Sequence, residues 1–158
     1  GRTHDLFLQG IEFARMGGMI DISTGGTKYC EPYESVLEGL NAGVSIDRMT
    51  FSSDGNAGVR RKDPVTGEDS YTVAPLHRNL EQVIRLIVDG GIAPLDAFRL
   101  ITTNPARTMK LKGKGELREG WDADITLFDD KWKLQGVYAR GVEMMHEGIV
   151  IRKGNFEM

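Results

Sequence analysis

The sequence predicts an α/β fold followed by a β-rich tail, and three observations carry that reading. Short apolar runs alternate with amphipathic helical stretches in the strand–helix–strand rhythm of a parallel sheet. Glycines stand where the helical stretches end. From Gly113 onward the segments become short and β-rich, with glycine at the joints. The 158 residues, 40% of them hydrophobic, suffice to bury one core. A complete (β/α)8 barrel needs roughly 250 residues, so a barrel-like pattern in this chain can only be part of a barrel.

The elements follow in order. Leu6, Ile11, Phe13 and Ala14 fall near helical spacing, and Gly17-Gly18 stops that helix. Met19-Ile20-Asp21-Ile22 is a short apolar run of strand type, turned by Ser23-Thr24-Gly25-Gly26. Tyr33 to Asn41 carries Val36, Leu37 and Leu40 on one helical face and ends at Gly43. Arg48-Met49-Thr50-Phe51 is the next strand, and Ser52 to Ser70 reads as a long polar loop of the kind that tends to be functional. Leu76 to Asp89 is an amphipathic helix through Leu80, Val83, Ile84, Ile87 and Val88. Pro94 opens another helix, and Asn104-Pro105 a short third one. Strands are expected over 124–128, 134–139, 142–146 and 149–152, with Gly141 and Gly148 in tight hairpins. The domain boundary is expected near 112/113. Four strands alone make a poor core, so this β layer is expected to pair with strands outside the chain.

Composition excludes several classes. Twenty Lys and Arg against 23 Asp and Glu give a formal charge of −3, which argues against nucleic acid or an anionic membrane as partner. Negative mean hydropathy and the lack of a long apolar run argue against a membrane span. No signal-peptide pattern opens the chain, and Cys30 is the single cysteine, so a cytoplasmic location is expected. The absence of an initiator Met suggests that the natural start lies upstream.

Among chemistry-bearing residues, Phe51-Ser52-Ser53-Asp54-Gly55-Asn56 stands out. An apolar strand ends in an acidic residue, and sites in barrels and open sheets form at the carboxyl ends of strands. Asp54 is thus where a catalytic or metal-binding carboxylate belongs; the alternative is a plain Asp-Gly-Asn turn. His4, His77 and His146 show no metal-binding spacing. Ser52 and Ser53 lack the glycine elbow of a serine nucleophile, and Cys30 lacks an identifiable base. Arg60-Arg61-Lys62 is a candidate anion contact or a solvated charge run, and Arg2 a candidate carboxylate grip.

Three stretches carry a family resemblance. Thr102-Thr103-Asn104-Pro105-Ala106-Arg107, then Gly113-Lys114-Gly115-Glu116-Leu117 and Gly120-Trp121-Asp122-Ala123-Asp124-Ile125, resemble the return from the last barrel helices to the β-sandwich in metal-dependent amidohydrolases. Val137-Tyr138-Ala139-Arg140-Gly141 and Lys153-Gly154-Asn155-Phe156-Glu157 resemble that family's closing strands. Gly1-Arg2, Leu6-Phe7, Glu12-Phe13-Ala14-Arg15, Gly17-Gly18, Ile20-Asp21-Ile22 and Ser52-Ser53-Asp54-Gly55-Asn56 are similar in order and spacing to the isoaspartyl dipeptidases within it.

The resemblance implies a fold: the last strand–helix units of an amidohydrolase-type TIM barrel over 1–112, then C-terminal strands of a small β-sandwich over 113–158. It implies that Asp54 ligates one metal and shuttles the proton from the attacking water to the leaving amine. It implies that Arg2 binds the substrate's α-carboxylate, and it places Gly58 where the family has a substrate-contacting serine. The cofactors implied are two divalent metal ions, zinc by the family's habit, in the full-length enzyme. The family's remaining metal ligands have no counterparts here, so this fragment alone is expected to bind none and to be inactive. The implied substrate is a dipeptide with an N-terminal β-aspartyl group. The alternatives are another amidohydrolase, of dihydroorotase, hydantoinase or N-acyl amino acid deacylase type, or a non-catalytic binding or assembly module. Exposed barrel edges lead us to expect a homo-oligomer.

Overall fold

The computed structural model describes residues 3–25, 29–55, 57–73 and 75–153. The chain divides into two compact units, residues 1–105 and 106–158.

The first unit opens with helix α1 (His4–Arg15), capped by the Thr3 side chain, which accepts from the Leu6 N–H at 3.4 Å. Phe7, Ile11 and Ala14 form its buried stripe, whereas Leu6 and Phe13 are exposed. The helical spacing was thus legible, but the buried face is centred on Phe7. Gly17, at φ 100°, takes the left-handed conformation that ends the helix. Strand β1 (Ile20–Ser23) pairs in parallel with β2 (Met49–Ser52), in the register Ile20↔Met49, Asp21↔Thr50, Ile22↔Phe51 and Ser23↔Ser52.

Helix α2 (Pro32–Asn41) crosses between them. Proline at its first position needs no N–H partner, and the Glu34 side chain accepts from the Glu31 N–H at 2.8 Å, one half of a capping box. Helix α3 (Arg78–Val88) supplies a further cap: the buried Gln82 Oε1 accepts from the Tyr33 N–H of α2 at 3.0 Å. Arg85 reinforces this junction by pairing with Glu31 at 2.9 Å and stacking over the Tyr33 ring. Helix α4 (Pro94–Arg99) follows, and α5 (Thr103–Thr108) includes the Asn104-Pro105 pair. The core of this unit gathers Ile20, Ile22, Met49 and Phe51 with Phe7, Ile11, Val36, Val83, Leu86, Ala97 and Leu100.

The stretch from Ser52 to Ser70 departs from expectation. Instead of an unstructured loop it contains an antiparallel hairpin, β3 (Gly58–Lys62) with β4 (Asp69–Val73), in register Gly58↔Val73 through Lys62↔Asp69. An ion pair between Arg60 and Asp69 ties its strands. At the tip Asp63 Oδ1 accepts from the Val65 and Thr66 N–H groups, which holds its carboxyl below the usual carboxylate range. Charged residues hide the strand pattern here: Arg60, Lys62, Asp69 and Tyr71 are exposed, so these positions give no apolar alternation.

The second unit is a four-stranded antiparallel sheet in the order β5 (Ile125–Phe128), β6 (Leu134–Ala139), β7 (Val142–His146), β8 (Ile149–Val150). Arg140-Gly141 and Glu147-Gly148 each adopt two successive positive φ values, 49° and 75°, then 47° and 78°. Such two-residue turns match the twist of a tight hairpin. Among the described residues no barrel is closed and no helix is long and apolar enough to cross a membrane.

Candidate active site

The parallel pair has two unlike faces. Ile20 and Ile22 on β1 are buried, whereas Asp21 is exposed and Ser23 half-buried, so alternation sends polar side chains to the face away from the helices. On that face two carboxylates are held by hydroxyls of the neighbouring strand. Asp21 accepts from Thr50 Oγ1 at 2.7 Å and Ser52 Oγ at 2.5 Å. Asp54 Oδ2 accepts from Ser23 Oγ at 2.6 Å.

Asp54 stands two residues beyond the end of β2, exposed, with φ 50°. That left-handed backbone is uncommon outside glycine but tolerated by aspartate. The loops around it are stitched together. The Thr24 N–H donates to the Ser52 carbonyl at 2.7 Å, and buried Thr24 Oγ1 donates to Asn79 Oδ1 at 2.7 Å. The Ala57 N–H donates to the Asp54 carbonyl at 2.9 Å. Gly25 allows a close approach here, since a Cβ there would lie 3.1 Å from the Ser53 carbonyl oxygen, tighter than an ordinary contact.

Of the sequence-derived candidates, Asp54 lies at the carboxyl end of a parallel strand. Gly58 opens β3 four residues later, exposed. Arg2, Asn56 and the closing Gly154 to Glu157 lie outside the described residues. Ser52 donates its hydroxyl to Asp21. The histidines stand apart from Asp54 in their pairings: His4 with Glu38 at 2.6 Å, His77 with Glu81 at 3.3 Å and His146 with Glu143 at 2.8 Å. Cys30 Sγ lies 3.2 Å from the Ser35 hydroxyl. Lys114 joins Asp122 and Asp124. Sequence reasoning missed Ser23 and Asp21, reading one as turn and the other as part of an apolar run. The period-two pattern Ile-Asp-Ile-Ser was the available signal.

A metal fits this face only in part. Asp54 offers a hard carboxylate oxygen, Oδ1, with no hydrogen-bond partner among the described residues. Among those residues, however, no group of three or more His, Cys, Asp or Glu side chains could hold an ion. Among the described residues this face offers one available carboxylate oxygen and not a set of convergent ligands.

Comparison with known proteins gives a consistent family match. The sequence pattern of the amidohydrolase family matches residues 17–154. The structure is similar to a β-aspartyl dipeptidase from Fervidobacterium islandicum AW-1, solved in complex with a β-Asp-Leu dipeptide: 32% identity, TM-score 0.81, covering 99% of this chain and 40% of that one. An adenine deaminase from Methanothrix thermoacetophila is 33% identical over 73 residues, covering 46% of this chain and 13% of that protein. Another, from Methanothermobacter thermautotrophicus, is 29% identical over 124 residues, covering 75% of this chain and 23% of that protein. The chain thus spans less than a quarter of these curated relatives and two fifths of the solved dipeptidase.

Proposed function

This chain belongs to the amidohydrolase family, and we propose that it is the C-terminal segment of an isoaspartyl dipeptidase with Asp54 as its acid/base carboxylate. Members of the family are hydrolases, and the parallel pair with its helices is a part of their barrel type, without closure among the described residues. The observation that carries the substrate reading is the likeness, along nearly the whole chain, to a dipeptidase holding β-Asp-Leu.

Two divalent metals, zinc in our reading, would supply Lewis acidity and a water nucleophile near neutral pH, with Asp54 as one of their ligands. The rest falls to the chain's own groups. Asp54 takes the proton of the attacking water and returns it to the leaving amine, general acid/base work worth about 10²–10⁴ in rate. The Arg2 guanidinium grips the α-carboxylate of the dipeptide through paired N–H donors. Gly58 has no hydroxyl, so any substrate contact there comes from the backbone.

A second reading, deamination of adenine, is favoured by the curated relatives. The same carboxylate would then serve attack on an amidine carbon. The test is a substrate panel on the intact protein: β-Asp-Leu, adenine, dihydroorotate and an N-acyl amino acid. We expect leucine release from β-Asp-Leu, and Asp54→Asn to lower kcat by about 10²-fold or more. Ammonia from adenine with no dipeptide cleavage would replace this reading with the second.

A further inference from the structure

We infer that Ser23 is the positioning residue for Asp54, fixing which carboxylate oxygen is free to act. The inference rests on the reading of Asp54 as the acid/base group. Ser23 ends β1, a strand locked to β2 by its register, and its Oγ donates to Asp54 Oδ2 at 2.6 Å. The Gly25 N–H donates to the same Ser23 oxygen at 3.3 Å. With that lone pair engaged, the serine proton is directed at the carboxylate. Thr50 and Ser52, the other hydroxyls of this face, are committed to Asp21. Among the described residues Ser23 is therefore the one side-chain donor to Asp54, and Oδ1 is the oxygen left to ligate or to carry a proton.

The arrangement needs its neighbours. Asp54 sits in a left-handed backbone at φ 50° and is exposed, and among the described residues the Ser23 hydroxyl is the side-chain donor that holds its carboxylate. Gly25 allows the two loops to approach: its missing Cβ would lie 3.1 Å from the Ser53 carbonyl oxygen and 3.5 Å from Asp54 Oδ2. A proton-shuttling carboxylate that swings freely spends less time in productive geometry, which reduces turnover more than binding.

Ser23→Thr and Ser23→Val test this, since they share one shape and differ by a hydroxyl against a methyl, and both suit a strand. In the intact hydrolase, Ser23→Val should lower kcat on β-Asp-Leu about tenfold with KM within about twofold, the scale of a hydrogen bond to a charged group. Ser23→Thr should stay within about threefold of native kcat. A second readout uses the 158-residue chain itself with carbon-13 in its aspartate carboxyls. The Asp54 signal, assigned through Asp54→Asn, should move in Ser23→Val and not in Ser23→Thr. Ser23→Ala replaces Ser23→Val if the latter does not fold. Native kcat with an unmoved signal overturns the inference. So does a raised KM at unchanged kcat, which would make Ser23 a substrate contact. If the native hydrolase leaves β-Asp-Leu intact, the substrate reading falls, and the carbon-13 comparison still decides the Ser23 contact.

Discussion

Asn104 gives physical content to the motif that carried the family resemblance. Its side chain is 1% exposed, and Nδ2 donates at 2.8 Å to both the Ile46 and the Met49 carbonyls, clamping the entry to β2 against α5. Asn104 Oδ1 is buried without a hydrogen-bond partner among the described residues, so the donor end alone serves. Asn104→Ala leaves two carbonyls without that donor and should lower unfolding stability by about 2 kcal/mol, read as a shifted urea midpoint. Asn104→Asp should cost more, because it removes the N–H groups and turns buried oxygen toward the same carbonyls. The reverse order would refute the clamp. The motif was legible in sequence but its task was not, since its partners lie 55 and 58 residues away. At the candidate site, the place of Asp54 after an apolar strand was legible, whereas its bond to Ser23, 31 residues earlier, arises only from the parallel pairing.

Elements were readable where burial imposes a period. The stripe on α3 and the glycine-ended α1 follow from packing against one core, and the Arg140-Gly141 and Glu147-Gly148 turns follow from local backbone demands. The β3–β4 hairpin was not readable, because its charged and polar residues, among them exposed Arg60, Lys62 and Asp69, show no apolar alternation. In the second unit, polar contacts hold elements that the hydrophobic pattern does not. Lys114 pairs with Asp122 and Asp124, and Asp124 also accepts from the Arg140 N–H at 2.8 Å, linking the approach to β5 with the β6–β7 turn. The Lys114 ammonium, and then the Arg140 N–H, hold the Asp124 carboxyl below its ordinary value. A carboxylate depressed in the folded state stabilises above its unfolded pKa of about 3.9 and loses that contribution as pH falls through the lower folded value. Trp121 and Trp132, the only tryptophans, both belong to this unit, so their emission follows the unfolding of their surroundings there. We expect the urea midpoint of that emission to fall on acidification from about pH 5 to about pH 3. Lys114→Met should flatten the slope and lower the midpoint at neutral pH. An unchanged slope would show that the pair contributes nothing measurable, as many exposed pairs do.

At the scale of the whole molecule, the inventory of ligating side chains decides what the chain can do by itself. Its 158 residues fall well short of the roughly 250 of a complete barrel, so length excluded a complete barrel, while the strand–helix rhythm and the family resemblance supplied the partial one. The structure adds a chemical reason. A binuclear centre needs several convergent ligands, yet the described residues present one available carboxylate oxygen on the polar face of β1 and β2. Each of the three histidines faces a glutamate instead, and in the His146–Glu143 pair the carboxylate raises the imidazole above its ordinary value, which favours protonation over metal binding. We therefore expect elemental analysis of the purified, desalted chain to find well under one equivalent of zinc, and the chain alone to leave β-Asp-Leu uncleaved. On the proposed dipeptidase reading, co-expression with the remaining strands of an amidohydrolase barrel should bring both metal and hydrolysis, and Asp54→Asn in that pair should lower the hydrolysis by about 10²-fold or more. Zinc near two equivalents in the chain alone would show that it assembles a metal centre without further barrel strands, and the dependence on them would be wrong.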